Sequence, residues 1–166
     1  MARRILRVTN GQAANIVTGN SNQPKSWSCL HIVCEAAVLD VLASGHSGIP
    51  PISVADMIEE LIPFMGRAEI AWKIKGGKLG TFMHMLVAHA PSVMVRRVLQ
   101  AVRASHGVDF LETLLNIQDK DGAGGIDRAY GSSVAVGRMI KDEFGGIEQR
   151  TPEQAEEINR QNQAKK

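Results

Sequence analysis

The chain has 166 residues, which fits one domain or two very small ones and excludes a larger multidomain architecture. Hydrophobic residues make up 44% and charged residues 22%, a balance that excludes the low-hydrophobicity, high-charge class of disordered chains. Nineteen Lys and Arg against 17 Asp and Glu leave a formal net charge of +2, too small a surplus for phosphate-driven nucleic-acid binding.

Aromatic residues are only 4%, so a core must be built from Leu, Ile, Val, Met and Ala. That composition favours close-packed helices over a β-sandwich, and predicts a mainly α fold. Cys29 and Cys34 are too few and too close together for a secreted disulfide framework, which points to a reducing, cytoplasmic setting. Apolar runs such as residues 83–90 fall far short of a membrane span. The basic start Met1-Ala2-Arg3-Arg4 leads into polar sequence rather than into the apolar stretch of a signal peptide.

In chain order, residues 1–26 read as a polar basic N-terminal arm, with residues 9–25 a loop, and the packed part begins near Trp27. Leu30, Val33, Cys34, Ala37, Val38 and Val41 fall on one helical stripe that stops near Ser44-Gly45. After the loop 45–51, Ser53 is placed to cap a helix with the apolar face Met57, Ile58, Leu61 and Ile62, closed by residues 63–66. Residues 70–80, with Lys73, Lys75, Gly76, Gly77 and Lys78, read as an extended or hairpin connector. Thr81 starts a short helix to Ala90, and Pro91-Ser92 restarts the chain into Val93, Val95, Val98, Leu99 and Val102, a periodic helix ended by Gly107. Leu111, Leu114 and Leu115 precede a turn at 118–125, then come helical segments at 126–130 and 134–144. Gly145-Gly146 stops the last of these, and Thr151-Pro152-Glu153-Gln154 carries the start signals of a further helix. The implied division is an arm at 1–26, a packed domain at 27–146 and a charged helix or tail at 147–166.

Three hexamers align: Ser28-Cys29-Leu30-His31-Ile32-Val33, Thr81-Phe82-Met83-His84-Met85-Leu86, and Gly124-Gly125-Ile126-Asp127-Arg128-Ala129. Each follows a turn and opens a helix. The pattern resembles the Thr-Pro-Leu-His-x-Ala signature of the ankyrin repeat, and Asn116-Ile117-Gln118-Asp119-Lys120-Asp121-Gly122 resembles the end of one repeat feeding the hairpin of the next. The match runs from about Trp27 to Gly145. Its period is long: His31 and His84 are 53 residues apart and His84 and Asp127 are 43, against about 33 in ankyrin repeats, so insertions are required. In the third unit Gly124-Gly125 replaces Thr-Pro, Asp127 replaces His, and Arg128 holds a normally apolar position, as in a decayed or capping repeat. The resemblance implies a short helix-turn-helix solenoid with hairpin-like connectors, in which a Thr or Ser caps each helix and the His reaches the neighbouring repeat.

Other motifs are incomplete. Residues 119–130 resemble an EF-hand loop, but Ala123 and Tyr130 stand where two oxygen ligands belong, so no calcium site is expected. Cys29, His31 and Cys34, with His84 or His89, are zinc-ligand types that a helix does not bring to one face, and no metal or other cofactor is expected. Residues 76–81 lack the spacing of a phosphate loop. Cys34 one turn from His31 leaves a cysteine hydrolase as the alternative function, and a calcium-responsive helix pair as another.

The ankyrin resemblance implies a non-enzymatic module that binds another protein, while the small net charge and short apolar runs point away from nucleic acid and a membrane. Stand-alone members with long, diverged repeats are often host-directed pathogen proteins, which extends the expected compartment to a host cytoplasm or nucleus. It places the partner-binding face on Lys25, Trp27 and Glu35 in the first unit, on Lys78 and His89 at the second, and on Lys120, Asp121 and Ser132 at the third.

Overall fold

Two residue pairs open the fold. In the computed structural model, which describes residues 17–18, 27–34, 51–73, 80–145, 153, 157 and 160, strand β1 (Val17–Thr18) pairs antiparallel with β2 (Trp27–Ser28), Val17 opposite Ser28 and Thr18 opposite Trp27. Part of the supposed loose arm is thus tied to the chain just before the first hexamer. The reason is local: extended backbone leaves unpaired N–H and C=O groups, and two short segments satisfy each other's.

The other described elements are helical. Residues 29–34 form α1. Then follow α2 (Pro51–Leu61), a 3₁₀ turn (Ile62–Phe64), α3 (Arg67–Ile70), α4 (Phe82–His89), α5 (Ser92–His106), α6 (Val108–Asn116), α7 (Gly125–Ser132) and α8 (Val134–Phe144). The three hexamers therefore start α1, α4 and α7. The expected end of the first stripe at Ser44-Gly45, much of the 70–80 connector and most of the charged tail lie outside the described residues.

Helix α2 begins at Pro51, two residues ahead of the expected Ser53 cap. Proline at the first helical position gives up an N–H that would have no intrahelical acceptor and presets φ, and that outweighs the capping preference of serine. The buried stripe shifts with the start. Val54, Ala55, Ile58 and Ile62 face inward, whereas Met57, expected on the apolar face, is 48% exposed.

Helix α4 is buried from Phe82 through Val87, the pattern of a helix covered on all sides. It packs on α7, which packs on α8. Helix α5 is amphipathic, burying Met94, Val95, Val98, Leu99 and Val102 and exposing Arg96, Gln100 and Arg103. Val93, expected on its inner face, is exposed, while its neighbour Met94 in the same turn is buried. Helix α5 touches α2 on one side and α8 on another, with α6 at its end, so α2, α5 and α8 form one row and α4 and α7 another.

The rows are also fastened by arginines. Arg97 donates to Glu59 at 2.7 and 2.6 Å and to Asp56 at 2.6 Å, joining α5 to α2. Arg96 makes a two-pronged pair with Glu143 at 2.8 and 2.6 Å, joining α5 to α8. Arg103 covers the Phe144 ring at 5.1 Å and donates to the Glu143 carbonyl. None of these bridges follows from periodicity, since the partners are 38 to 47 residues apart.

Candidate functional site

The chemistry-bearing side chains gather where one hexamer meets the segment that opens the next. At the second hexamer, His84 is 2% exposed. The backbone N–H of Thr81 donates to His84 Nδ1 at 3.1 Å, and the Thr81 hydroxyl lies 2.9 Å from the same nitrogen. The other ring nitrogen, Nε2, lies 3.1 Å from the carbonyl oxygen of Ala123, the residue before the third hexamer. A fixed donor on one nitrogen and an obligate acceptor on the other select the neutral ring protonated at Nε2.

The first hexamer shares part of this arrangement: Ser28 Oγ lies 2.6 Å from His31 Nδ1, and the His31 ring is fully buried. Burial is the main cause that pushes His31 down from 6.5 to about 4, with the Gly80 backbone opposing and His84 adding to the drop. His84 is lowered too, chiefly by burial, with Arg128 adding and Asp119 and the Ala123 and Ile117 backbone opposing. At the third hexamer the carboxylate of Asp127 takes over the capping role, accepting from Gly124 N–H at 2.8 Å.

The turn before the third hexamer is closed by Asp119. Its Oδ1 accepts from Asp121 N–H at 2.8 Å and Ala123 N–H at 3.1 Å, while its backbone N–H donates to the Ala123 carbonyl at 2.9 Å. Arg128 donates to the other Asp119 oxygen, Oδ2, and at 2.6 Å to Asp121. Both oxygens of the first acid of the EF-hand-like loop are thus committed within the protein. Among the described residues no group of three or more His, Cys, Asp or Glu is placed to hold a metal ion. Arg128, singled out from sequence only as a polar intruder, is the residue that clamps this turn. Its signal was the pair of acids seven and nine residues before it.

The alternative nucleophile is poorly set. Burial pushes the Cys34 thiol up to about 12 and raises Cys29, whereas nucleophilic cysteine acts as the thiolate. Cys29 Sγ instead lies 3.8 Å from Met65 Sδ, and His31 Nδ1 is engaged by Ser28.

Of the expected partner-binding residues, Lys25, Glu35, Lys78 and the Trp27 side chain lie outside the described residues, Trp27 being placed by its backbone in β2. His89 ends α4 and Lys120 stands in the turn, both exposed. Asp121 is exposed but paired with Arg128. Ser132 is exposed at the end of α7, and its hydroxyl donates to the Ala88 carbonyl beside His89. That bond brings the ends of α4 and α7 together, while Lys120 lies near the starts of these helices.

Among the described residues no helix is long and apolar enough to cross a membrane. No family model matches the chain, and neither a curated protein nor a solved structure is significantly similar to it.

Proposed function

We propose that the chain is a short ankyrin-like solenoid of about three long units, acting as a non-enzymatic module that binds another protein through its hairpins and inner helices. The observation that carries the reading is the recurrence of one clasp at the three helix starts: Ser28 with His31, Thr81 with His84, Gly124 with Asp127. The two rows of helices support it as well, since stacked units bury faces that no single helix pair can cover. A second support is chemical: the titratable groups of the clasps are buried and internally bonded, so what the molecule offers to others is surface. No cofactor, metal or nucleic acid enters this function. The setting it suits is the cytoplasm, or a host cell's cytoplasm or nucleus for a host-directed protein.

Photo-crosslinking tests it. A benzophenone amino acid placed at Lys120 or His89 captures the same partner protein from a native lysate, and the same probe at exposed Gln100 on α5 or Arg138 on α8 does not. Capture only from Gln100 or Arg138 places the binding face on the other row and overturns the assignment.

A further inference from the structure

We propose that His84 is an acid-operated clasp between successive units, with the buried His31 ring titrating beside it: neutral, His84 ties the start of α4 to the backbone that opens the third hexamer, and protonated, it lets go. The inference goes beyond partner binding and stands on the geometry of the His84 ring.

His84 spans a seam, joining Thr81 to Ala123, 39 residues further on, and the buried His31 ring lies against Ser28 at the start of α1. A second proton on His84 would sit on Nδ1, where the Thr81 N–H already points. The Thr81 hydroxyl can turn round and accept, but the backbone donor cannot, so that N–H loses its acceptor inside the core. Room to move aside is lacking, because Gly80 packs so closely that a Cβ there would stand 2.8 Å from His84 Nδ1.

The charged and polar groups facing the rings decide the direction. His84 faces Asp119, which favours its cation, but that carboxylate is shared with Arg128, which opposes it. The Ala123 and Ile117 backbones also favour the cation, against burial as the largest cause. His31 faces Ser28, the Gly80 backbone and His84, and a proton on either ring disfavours a proton on the other. The unfolded chain takes up a proton near pH 6.5, and the native His31 only near 4. The neutral-ring stabilisation is therefore complete above pH 6.5 and is lost as the pH falls toward 4. Over that window each unit of acidification lowers the native-to-unfolded ratio by up to about tenfold through His31 alone, and His84 acts in the same sense.

Glutamine at both positions separates this from a merely structural role, since Gln caps a helix from the same place without titrating. Urea unfolding of the full chain is compared at pH 7, 5.5 and 4.5 for the wild type and for the double variant His31→Gln/His84→Gln. The wild type loses at least tenfold more of its folding constant between pH 7 and 4.5 than the double variant does. In the wild type, hydrogen exchange of the Thr81 amide accelerates on acidification before the amides of the α5 interior do. Equal pH dependence of the two proteins overturns the proposal. Should the double variant not fold at pH 7, imidazole NMR of the wild type decides: two rings still neutral at pH 5.5, one carrying its proton on Nε2, support the clasp, and all folded-state rings titrating near 6.5 refute it.

Discussion

The ring of Tyr130 on α7 packs against the backbone of Gly137 on α8 so closely that a Cβ on Gly137 would stand 2.6 Å from two ring carbons. Gly137 lies inside a helix, where alanine is favoured by about 1 kcal/mol. The contact opposes that gain, because the overlapping atoms are at the root of the ring and cannot swing away. Overpacking of this kind costs about 1 to 3 kcal/mol. Gly137→Ala is therefore expected to destabilise the protein by about 1 kcal/mol, read as a lower urea midpoint with unchanged slope. A stabilised variant would mean that α7 and α8 are less tightly joined than their packing indicates.

Asp119 holds a turn by two separable means. Its oxygens accept the Asp121 and Ala123 N–H groups, and its charge pairs with half-buried Arg128. Asp119→Asn keeps an acceptor for the turn while removing the charge, and Asp119→Ala removes both. The expected losses are about 1 kcal/mol for Asn and about 3 kcal/mol for Ala, which also strands the buried Ala123 N–H. Calorimetric titration of the wild type with Ca²⁺ shows no binding tighter than about millimolar, the weak end of EF-hand affinity. Micromolar binding that Asp119→Ala abolishes would restore the calcium reading of this loop.

Thiol chemistry addresses the alternative hydrolase. With Cys34 fully covered and its thiol held up near 12, and Cys29 half-buried against Met65, neither offers a ready thiolate. Ellman's reagent at pH 7.5 should react with native Cys34 only as fast as the protein opens, and with both cysteines at once in urea. Rapid stoichiometric labelling of Cys34 in the native state would mark an activated nucleophile instead.

The sequence made the helix starts legible and the fastenings between helices illegible, for a physical reason. A cap is a local event: Thr81 and His84, or Gly124 and Asp127, are three residues apart, so hydroxyl, acceptor and turn are visible in one short window. The periodic stripe of α5 was visible likewise. The bridges of Arg97 to Glu59 and Arg96 to Glu143 depend on which helix lies beside which, and that is decided by packing. Met57 shows the intermediate case. It lies at helical spacing from true core residues, yet the helix turned it outward because α2 buries the side that faces α5. Residues 17–18 were hidden within a polar loop, since a two-residue ladder carries too few side chains to show alternation.

Gly80 stands at the crossing of these relationships, with φ at +59° and a Cβ built on it 2.8 Å from His84 Nδ1 and 3.0 Å from Asp119 Cβ. Alanine there faces two costs. Left-handed backbone disfavours an L side chain by about 1 to 2 kcal/mol, and the new methyl must displace a ring held from both ends. Gly107 supplies the comparison, because it too has positive φ, at +88°, but nothing lies within 4 Å of a Cβ there. Gly107→Ala bears the backbone cost alone, about 1 to 3 kcal/mol, and leaves the clasps intact. Gly80→Ala is expected to lose about 3 kcal/mol and, unlike Gly107→Ala, to raise hydrogen exchange at the Thr81 amide by more than the loss of global stability explains. If the two variants differ only in overall stability, with Thr81 protected equally once that is subtracted, Gly80 is a turn residue alone and the ring of His84 has more freedom than its contacts indicate.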